Sequence, residues 1–436
     1  MQDLKGILEK ARPSEYESSI LSRTSDDVLR RIKLYCSSKG ISAEPIVVGS
    51  FSKGTNLSGS DIDIFVVFSK DYSRQDLEKL GLKIGHECLP SSKEKYAEHP
   101  YVSGYENGIK IDIVPCFQHS ADERLISSVD RTPLHTEFIR KNLTEEQKDE
   151  VRLLKLFLKS AGIYGSEVRV QGFSGYVCEL LIYHLGSFIG TVEWLSRIKG
   201  RATLGDISAI DSSSPLVIVD PTDMKRNAAA AISENSYHTS IVTSRCYLDS
   251  PDESYFVLPE SSGRSAYRER GTAMFLITIK KPDMVDDIIY SQALKLEKMV
   301  RQVSSDSGFR VFGTHMMVNG NIEILIEIDV QYLPAFRTHM GPPAISENAL
   351  DFLKKWEQDP RTQRGPYISG GRLYVEVANE NRYFPEVLVS GLSGKNIGKH
   401  LNPLKDSIKI SRIGEGDRLE ILSFYYGRRI CRSHAS

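Results

Sequence analysis

The residues best placed to do chemistry are three aspartates. Asp61 and Asp63 stand two apart at the polar edge of VGSFSKGTNLSGSDIDIFVVF, residues 48–68. On a strand, side chains two apart leave the same face about 6–7 Å from one another, and two unpaired carboxylates there repel. A shared divalent cation removes the repulsion, and Mg²⁺ suits the case because it takes carboxylate oxygens while keeping positions open for phosphates. A third acid, Asp112 in GIKIDIVP, is flanked by Ile111 and Ile113 and so points away from an apolar face. Three acids on neighbouring strands predict a site for two Mg²⁺ ions, which activates an attacking hydroxyl and steadies a leaving pyrophosphate. The loop before them carries the complementary groups. Gly49-Ser50 ends a strand, and Ser50, Lys53 and Thr55 offer hydroxyl, N–H and ammonium contacts to phosphate oxygens.

Such a site needs an α/β frame, and the first ~140 residues alternate helical and strand signals as that frame requires. SDDVLRRIKLYCSSKG predicts an amphipathic helix ending at Gly40, EPIVVGS a short strand running into a Gly/Ser turn, and DIDIFVVF a central strand. EHPYVSGYENGIKIDIVPCF predicts a hairpin turning at Asn107-Gly108. From Leu143 the pattern becomes helical. Thr144 and Gln147 have capping-box spacing, Val151, Leu154, Leu158 and Ala161 share a face before Gly162, and a second helix follows Gly175 in YVCELLIYHLGSFIGTVEWLSRI. Beyond Pro259, TAMFLITIKK, MVDDIIYSQALKLEKMVRQV, FRVFGTHMMV and NIEILIEIDV give a β-α-β-β order, expected to form a two-layer, ferredoxin- or RRM-like α+β domain. SENALDFLKKWEQD adds a helix and GGRLYVEVANENRYF a hairpin. The expected architecture is multidomain α/β and α+β. A catalytic head spans residues 1–140, a helical nucleotide-recognition domain 141–257, an α+β body 258–384 and a Gly-punctuated C-terminal segment 385–436.

Composition agrees with several domains. The chain has 436 residues, 40% hydrophobic and 26% charged, which places it among soluble globular proteins and is too long for one ordinary core. No run approaches the roughly 18 apolar residues of a membrane span, and the start lacks an apolar signal core, so a cytoplasmic location is expected. Six cysteines without a C-x-x-C pair argue against zinc and against a disulfide scaffold, and reduced thiols are expected.

G-S followed by D-x-D, and later by a strand-borne third Asp, resembles the pattern of the nucleotidyltransferase superfamily, whose polymerase-beta-like catalytic domain also serves poly(A) polymerases. Over nearly its whole length the chain resembles a narrower family, the archaeal (class I) CCA-adding enzymes, or ATP(CTP):tRNA nucleotidyltransferases. GSFSKGTNLSGSDIDIFVVF, RTPLHTEFI, LLKLFLKSAGIYGSEVRVQGFSGYVCELLI, DPTDMKRNAAAAIS and THMGPP carry that resemblance. It implies template-independent addition and repair of the 3′-terminal CCA of tRNA from CTP and ATP, with release of pyrophosphate, and a homodimer. It further implies that Asp61, Asp63 and Asp112 are the metal ligands, and that Ser50, Lys53, His135, Lys155 and Tyr164 bind the incoming nucleotide. Arg226 would sit near the base, helping to accept C or A and refuse G and U. Lys53 stands where an Arg is also familiar in relatives.

Each of these residues has a plainer role open to it. Lys155 could lie with Arg152 and Lys159 on a solvated basic face, His135 could be a surface histidine, Tyr164 could pack a turn, and Arg226 could pair with Asp223. Rival readings of the whole are a poly(A) polymerase or other terminal nucleotidyltransferase, and a catalytically silent RNA-binding protein. A formal net charge of −1 shows no field for a polyanion, so tRNA contacts are expected from local patches. Those are SRIKGR at 196–201, Arg337 with His339, and Arg428, Arg429 and Arg432 beside Tyr425 and Tyr426.

Overall fold

Apolar residues at every second position decide the first sheet. In the computed structural model, Ile62, Ile64, Val66 and Phe68 are all buried on one face of a strand, and Ile111 and Ile113 extend that core on the next. The structure describes residues 4–96, 99–118, 129–210, 212–258 and 263–427. The chain divides into two units, the first over Met1–Glu260 and the second over Ser261–Arg428.

Unit 1 opens with α1 (Leu4–Ala11) and α2 (Glu15–Lys39). Ser14 caps α2 by accepting the Glu17 N–H, and Gly40 ends it at φ +64°, so the helix starts well before the predicted SDDVL stretch. Then come β1 (Ala43–Val48), α3 (Gly49–Lys53), β2 (Ile62–Phe68), α4 (Arg74–Cys88), β3 (Lys93–Tyr96), β4 (Pro100–Glu106) and β5 (Ile109–Phe117). Gly49-Ser50 thus opens a short helix instead of forming a turn. The sheet order is β1-β2-β5-β4-β3, with β2 and β5 parallel and the other pairs antiparallel. Asn107 and Gly108, both at positive φ, make the β4–β5 turn as predicted.

The same unit continues with α5 (Thr132–Asn142), α6 (Glu145–Ser160), α7 (Gly175–Leu185) and α8 (Phe188–Arg197). Thr144 and Gln147 form the full capping box of α6. The single helix predicted after Gly175 is two helices meeting at 91°. Ser187 starts the second by accepting the Gly190 N–H, and the bend lets Phe188 join Phe157, Tyr247 and Phe256 in an aromatic core. A small sheet in the order β6 (Ala202–Leu204), β7 (Leu216–Asp220), β8 (Asp223–Asn227) and the helix α9 (Glu234–Asp249) complete the unit. That sheet lies in a stretch read as helical.

Unit 2 begins with β9 (Ser265–Ala266), β10 (Ala273–Lys280), α10 (Asp286–Asp306), β11 (Val311–Val318) and β12 (Asn321–Ile328). Next are β13 (Phe336–Pro343), α11 (Ala349–Glu357), β14 (Thr362–Ser369), β15 (Arg372–Ala378), α12 (Phe384–Leu392), β16 (Lys409–Ile413), β17 (Arg418–Leu419) and α13 (Glu420–Tyr426). The order β11-β12-β10-β16, antiparallel throughout, is the ferredoxin-like sheet, with Leu296, Val300, Phe384 and Leu388 of α10 and α12 in its core. The stretch GGRLYVEVANENRYF, read as a hairpin, holds one strand, β15, before α12 begins; its partners are β14 and β13 on either side, in the order β13-β15-β14.

Cys36, Cys88, Cys116 and Cys178 are buried free thiols, but Cys246 is disulfide-bonded, which corrects the expectation of reduced cysteines. Among the described residues no single helix is long and apolar enough to cross a membrane. Arg428, Arg429 and Arg432 lie outside the described residues.

Candidate active site

Two rows of side chains cross one face of the first sheet. Register places Asp63 of β2 beside Asp112 of β5, and Asp112 opposite Ser103 of β4. One step back along the strands, Lys110 stands opposite Tyr105, and its ammonium donates to Asp61 Oδ2 at 2.9 Å and to Asp112 Oδ2 at 2.8 Å. Ser103 Oγ donates to Asp112 Oδ1 at 2.5 Å. One carboxylate oxygen from each of Asp61, Asp63 and Asp112 lies within 4.8 Å of the others. Burial, then the charges of Asp61 and Asp112, push the Asp63 carboxyl up to about 7. Burial works against the Lys110 charge, yet its bonds to Asp112 and Asp61 outweigh that and raise its pKa. A converging, all-oxygen set whose members repel one another fits a hard divalent cation.

Gly49 explains the G-S signal in steric terms. It sits at φ +74°, and a Cβ there would fall 2.2 Å from Asp63 Oδ2, so only glycine lets α3 start against that carboxylate. Ser50 lies on α3, and Lys53 closes it.

Lys53 and Lys155 meet at an acid that the sequence reading missed. Glu179 on α7 is 1% exposed and accepts from Lys53 Nζ at 2.8 Å and from Thr55 Oγ1 at 2.6 Å, with Lys155 Nζ at 3.8 Å. Lys155 also donates to the Thr55 carbonyl at 2.8 Å and is itself 1% exposed, which rules out a solvated basic face. Burial opposes the Glu179 charge, but the two ammoniums prevail and lower its pKa, while burial lowers that of Lys155. Two cations share one anion, leaving one net positive charge. Tyr164 reaches the same place: a Cβ on Gly175, the first residue of α7, would lie 3.3 Å from the Tyr164 hydroxyl and 3.7 Å from Lys155 Nζ.

His135 and Arg226 are drawn together by a second missed acid. Asp220, fully buried at the end of β7, accepts from Arg226 Nη1 at 2.8 Å and from the Tyr176 hydroxyl at 2.9 Å, and bonds His135 Nε2 at 2.9 Å. His135 is buried, stacked on Tyr176 with ring centroids 3.8 Å apart, and burial lowers its pKa against the pull of Asp220. Asp223, the sequence's alternative partner for Arg226, pairs with Arg131 at 3.2 Å. Lys53 Nζ lies 5.1 Å from the Tyr176 ring centroid, which joins the two clusters. Both missed acids had a signal: a lone carboxylate in an apolar run, in VCELLI and LVIVD, must find a buried cation or donor.

Three acids across adjacent strands, a glycine-started helix beside them and buried cations behind define a nucleotidyltransferase with a polymerase-beta-like catalytic domain. Residues 29–135 match the nucleotidyltransferase domain family, 149–257 the second domain of tRNA nucleotidyltransferase, and 270–412 the C-terminal domain of the CCA-adding enzyme. The chain belongs to the CCA-adding enzyme family. The CCA-adding enzyme of Thermoplasma volcanium is 42% identical, covering 98% of this chain and 97% of its own length. That of Picrophilus torridus is also 42% identical, covering 98% and 99%. Among solved structures, that of E. coli MS115-1 CdnC with ATP has a TM-score of 0.46 at 19% identity, covering 58% of this chain and 94% of that one.

Proposed function

We propose that this chain adds and repairs the 3′-terminal CCA of tRNA. The tRNA 3′-hydroxyl attacks the α-phosphate of CTP or ATP, a new P–O bond forms, and the bond to the β-phosphate bridge breaks to release pyrophosphate. The observation that carries the reading is the convergence of Asp61, Asp63 and Asp112 within 4.8 Å beside the Gly49 helix. Similarity to curated CCA-adding enzymes along nearly the whole chain supports tRNA as the acceptor. Asp61, Asp63 and Asp112 would hold Mg²⁺, two ions in our reading, and bound there it would supply positive charge to the phosphates and to the attacking hydroxyl. Ser50, Lys53, Lys155 and Tyr164 bind the triphosphate and ribose, using the positive charge that Glu179 leaves unmatched. His135 and Arg226, fixed by Asp220, face the base and favour C or A. Ser103 and Lys110 hold Asp112 in place for the acceptor hydroxyl.

Unit 2 takes the tRNA body through its backbone. Arg268 lies over Tyr426 at 4.7 Å and Arg310 over Phe312 at 5.0 Å, a basic and aromatic surface suited to phosphates and splayed bases. Binding therefore weakens as salt rises. A homodimer in the cytoplasm completes the reading.

The test is incubation of the protein and Mg²⁺ with a tRNA transcript lacking CCA, with products resolved at single-nucleotide length. Two additions with CTP alone and a third only when ATP is present are expected, with no use of UTP or GTP. A long A tail would make the chain a poly(A) polymerase, and no product would leave the silent RNA-binding protein. Asp61→Ala or Asp63→Ala should abolish both additions while tRNA binding persists; retained turnover overturns the metal assignment.

A further inference from the structure

The chain between α3 and Asp61 turns three consecutive carbonyls toward α6. Arg152 Nη2 donates to the Gly54 oxygen at 2.6 Å, Lys155 Nζ to that of Thr55 at 2.8 Å, and Arg152 Nε to that of Asn56 at 2.9 Å. Arg152 and Lys155 are three apart, so one face of the helix carries both cations. Their surroundings differ. Lys155 also lies 3.2 Å from Thr55 Oγ1 and 3.8 Å from Glu179, in the cluster assigned to the triphosphate. Arg152 directs its remaining nitrogen, Nη1, to Asp149 Oδ1 at 2.7 Å, so each guanidinium nitrogen has a partner and the side chain is only 12% exposed. Asp149 in turn accepts from Arg12 Nε, just past the end of α1, at 2.8 Å. That end of α1 also holds the far side of the loop. The Ala11 carbonyl accepts the Ser58 N–H at 2.9 Å, and Glu17 of α2 accepts the Gly59 N–H at 2.6 Å. A brace therefore runs from α1 through Asp149 and Arg152 to the backbone that joins Lys53 to Asp61.

We propose that Arg152 is the positioning residue of the nucleotide loop: it holds residues 54–56 in place while Lys155 exchanges the Thr55 carbonyl for a phosphate oxygen of the incoming nucleotide. An ammonium already bonded to the protein must give up a bond to take a triphosphate. At that moment the Thr55 carbonyl loses its partner, and the carbonyls on either side keep theirs only through Arg152. A planar fork of N–H groups fixes two carbonyls at once, which a point charge does not do. Turned toward α6, these carbonyl dipoles also do not face the triphosphate, where they would repel it. The proposal rests on the nucleotidyl-transfer reading above and adds to it a residue that acts through the backbone.

The test uses the full chain. In Arg152→Met, amide hydrogen exchange over residues 54–60 should speed up about tenfold, with exchange in unit 2 unchanged. Calorimetric titration with CTP and Mg²⁺ should show affinity reduced about tenfold, the loss of one charge-assisted hydrogen bond, while filter binding of tRNA keeps its wild-type value. In steady-state addition KM for CTP should rise by the same factor and KM for tRNA should not move. Arg152→Lys keeps the charge but not the fork and should be as impaired as the methionine variant. Because Arg152 is buried, Arg12→Ala supplies a variant that leaves it in place. Arg12 is 51% exposed, and freeing Asp149 from it should weaken CTP binding about threefold with an unchanged melting temperature. Wild-type CTP affinity in Arg152→Met would overturn the proposal, and so would full recovery in Arg152→Lys, which would make residue 152 a point charge on the phosphates. An equal loss of tRNA and CTP affinity would overturn it as well, since it would mark a general folding defect. A wild type that binds CTP, and loses it in Arg152→Met, yet adds no nucleotide would support the brace and overturn the transfer reading alone.

Discussion

Gly49 meets Asp63 so closely that one added methyl group would lie 2.2 Å from the carboxylate oxygen Oδ2. The backbone at position 49 and the acid at position 63 are therefore a single fitted part.

Gly49→Ala should displace the carboxylate and strain a backbone held at φ +74°. A shift near 1 Å in a reacting group costs on the order of 100-fold in rate. Single-turnover incorporation of CTP should fall by about that factor, with tRNA affinity measured by filter binding unchanged. Wild-type rates in this variant would show that Asp63 need not hold its place.

Removing Glu179 leaves Lys53 and Lys155 buried without their anion. Breaking such a pair costs about 3–5 kcal/mol. Unfolding of unit 1 can be followed by Trp194 in a Trp356→Phe background, since the chain has two tryptophans and Trp356 lies in unit 2. Glu179→Ala should lower the urea midpoint sharply, and adding Lys155→Met should recover part of the loss. An unchanged midpoint would mean that the two ammoniums are solvated.

Asp220 gives unit 1 an acid-sensitive joint. Burial opposes its charge, but the bonds to His135 and Thr222 prevail, and the folded-state pKa is depressed. A depressed carboxylate contributes stability above its unfolded value of about 4, and the contribution disappears as pH falls through the folded value. The stability difference between wild type and Asp220→Asn should be about 3 kcal/mol near pH 6 and shrink below pH 4. A difference that stays constant on acidification would remove the ionised Asp220 from the account.

Lys110 is the counter-ion of Asp61 and Asp112, and a divalent cation would compete with it for the same oxygens. Lys110→Met should lower the melting temperature without metal and enlarge the rise produced by added Mg²⁺. Calorimetric titration of the same variant should show tighter metal binding than the wild type. An identical Mg²⁺ response in both proteins would separate Lys110 from the metal site.

The strand-borne acids were legible because period-two alternation fixes which face a side chain takes; Ile62 and Ile64 buried require Asp61 and Asp63 on the other side. The capping box at Thr144 and the Asn107-Gly108 turn were legible for the same local reason. Glu179 and Asp220 were legible only as carboxylates in need of a buried partner; which partner, Lys53 or His135, depends on parts of the chain that only the fold brings together. The bend at Ser187 also escaped: an apolar run continues across it and hides two local signals, Gly186 at φ +84° ending the first helix and Ser187 capping the second, which the packing of Phe188 then reinforces.

Strand β16 pairs with β10 in the ferredoxin-like sheet, although their partnered residues lie roughly 130 positions apart. During synthesis β10 must leave the ribosome with one edge open and wait while the inserted sheet and α12 are made. At common elongation rates that delay is on the order of ten seconds. An unpaired apolar strand exposed that long is a template for intermolecular pairing. Nascent unit 2 should therefore depend on holdase protection more than unit 1, whose five-stranded sheet is complete by Phe117 and whose small second sheet pairs strands close in sequence.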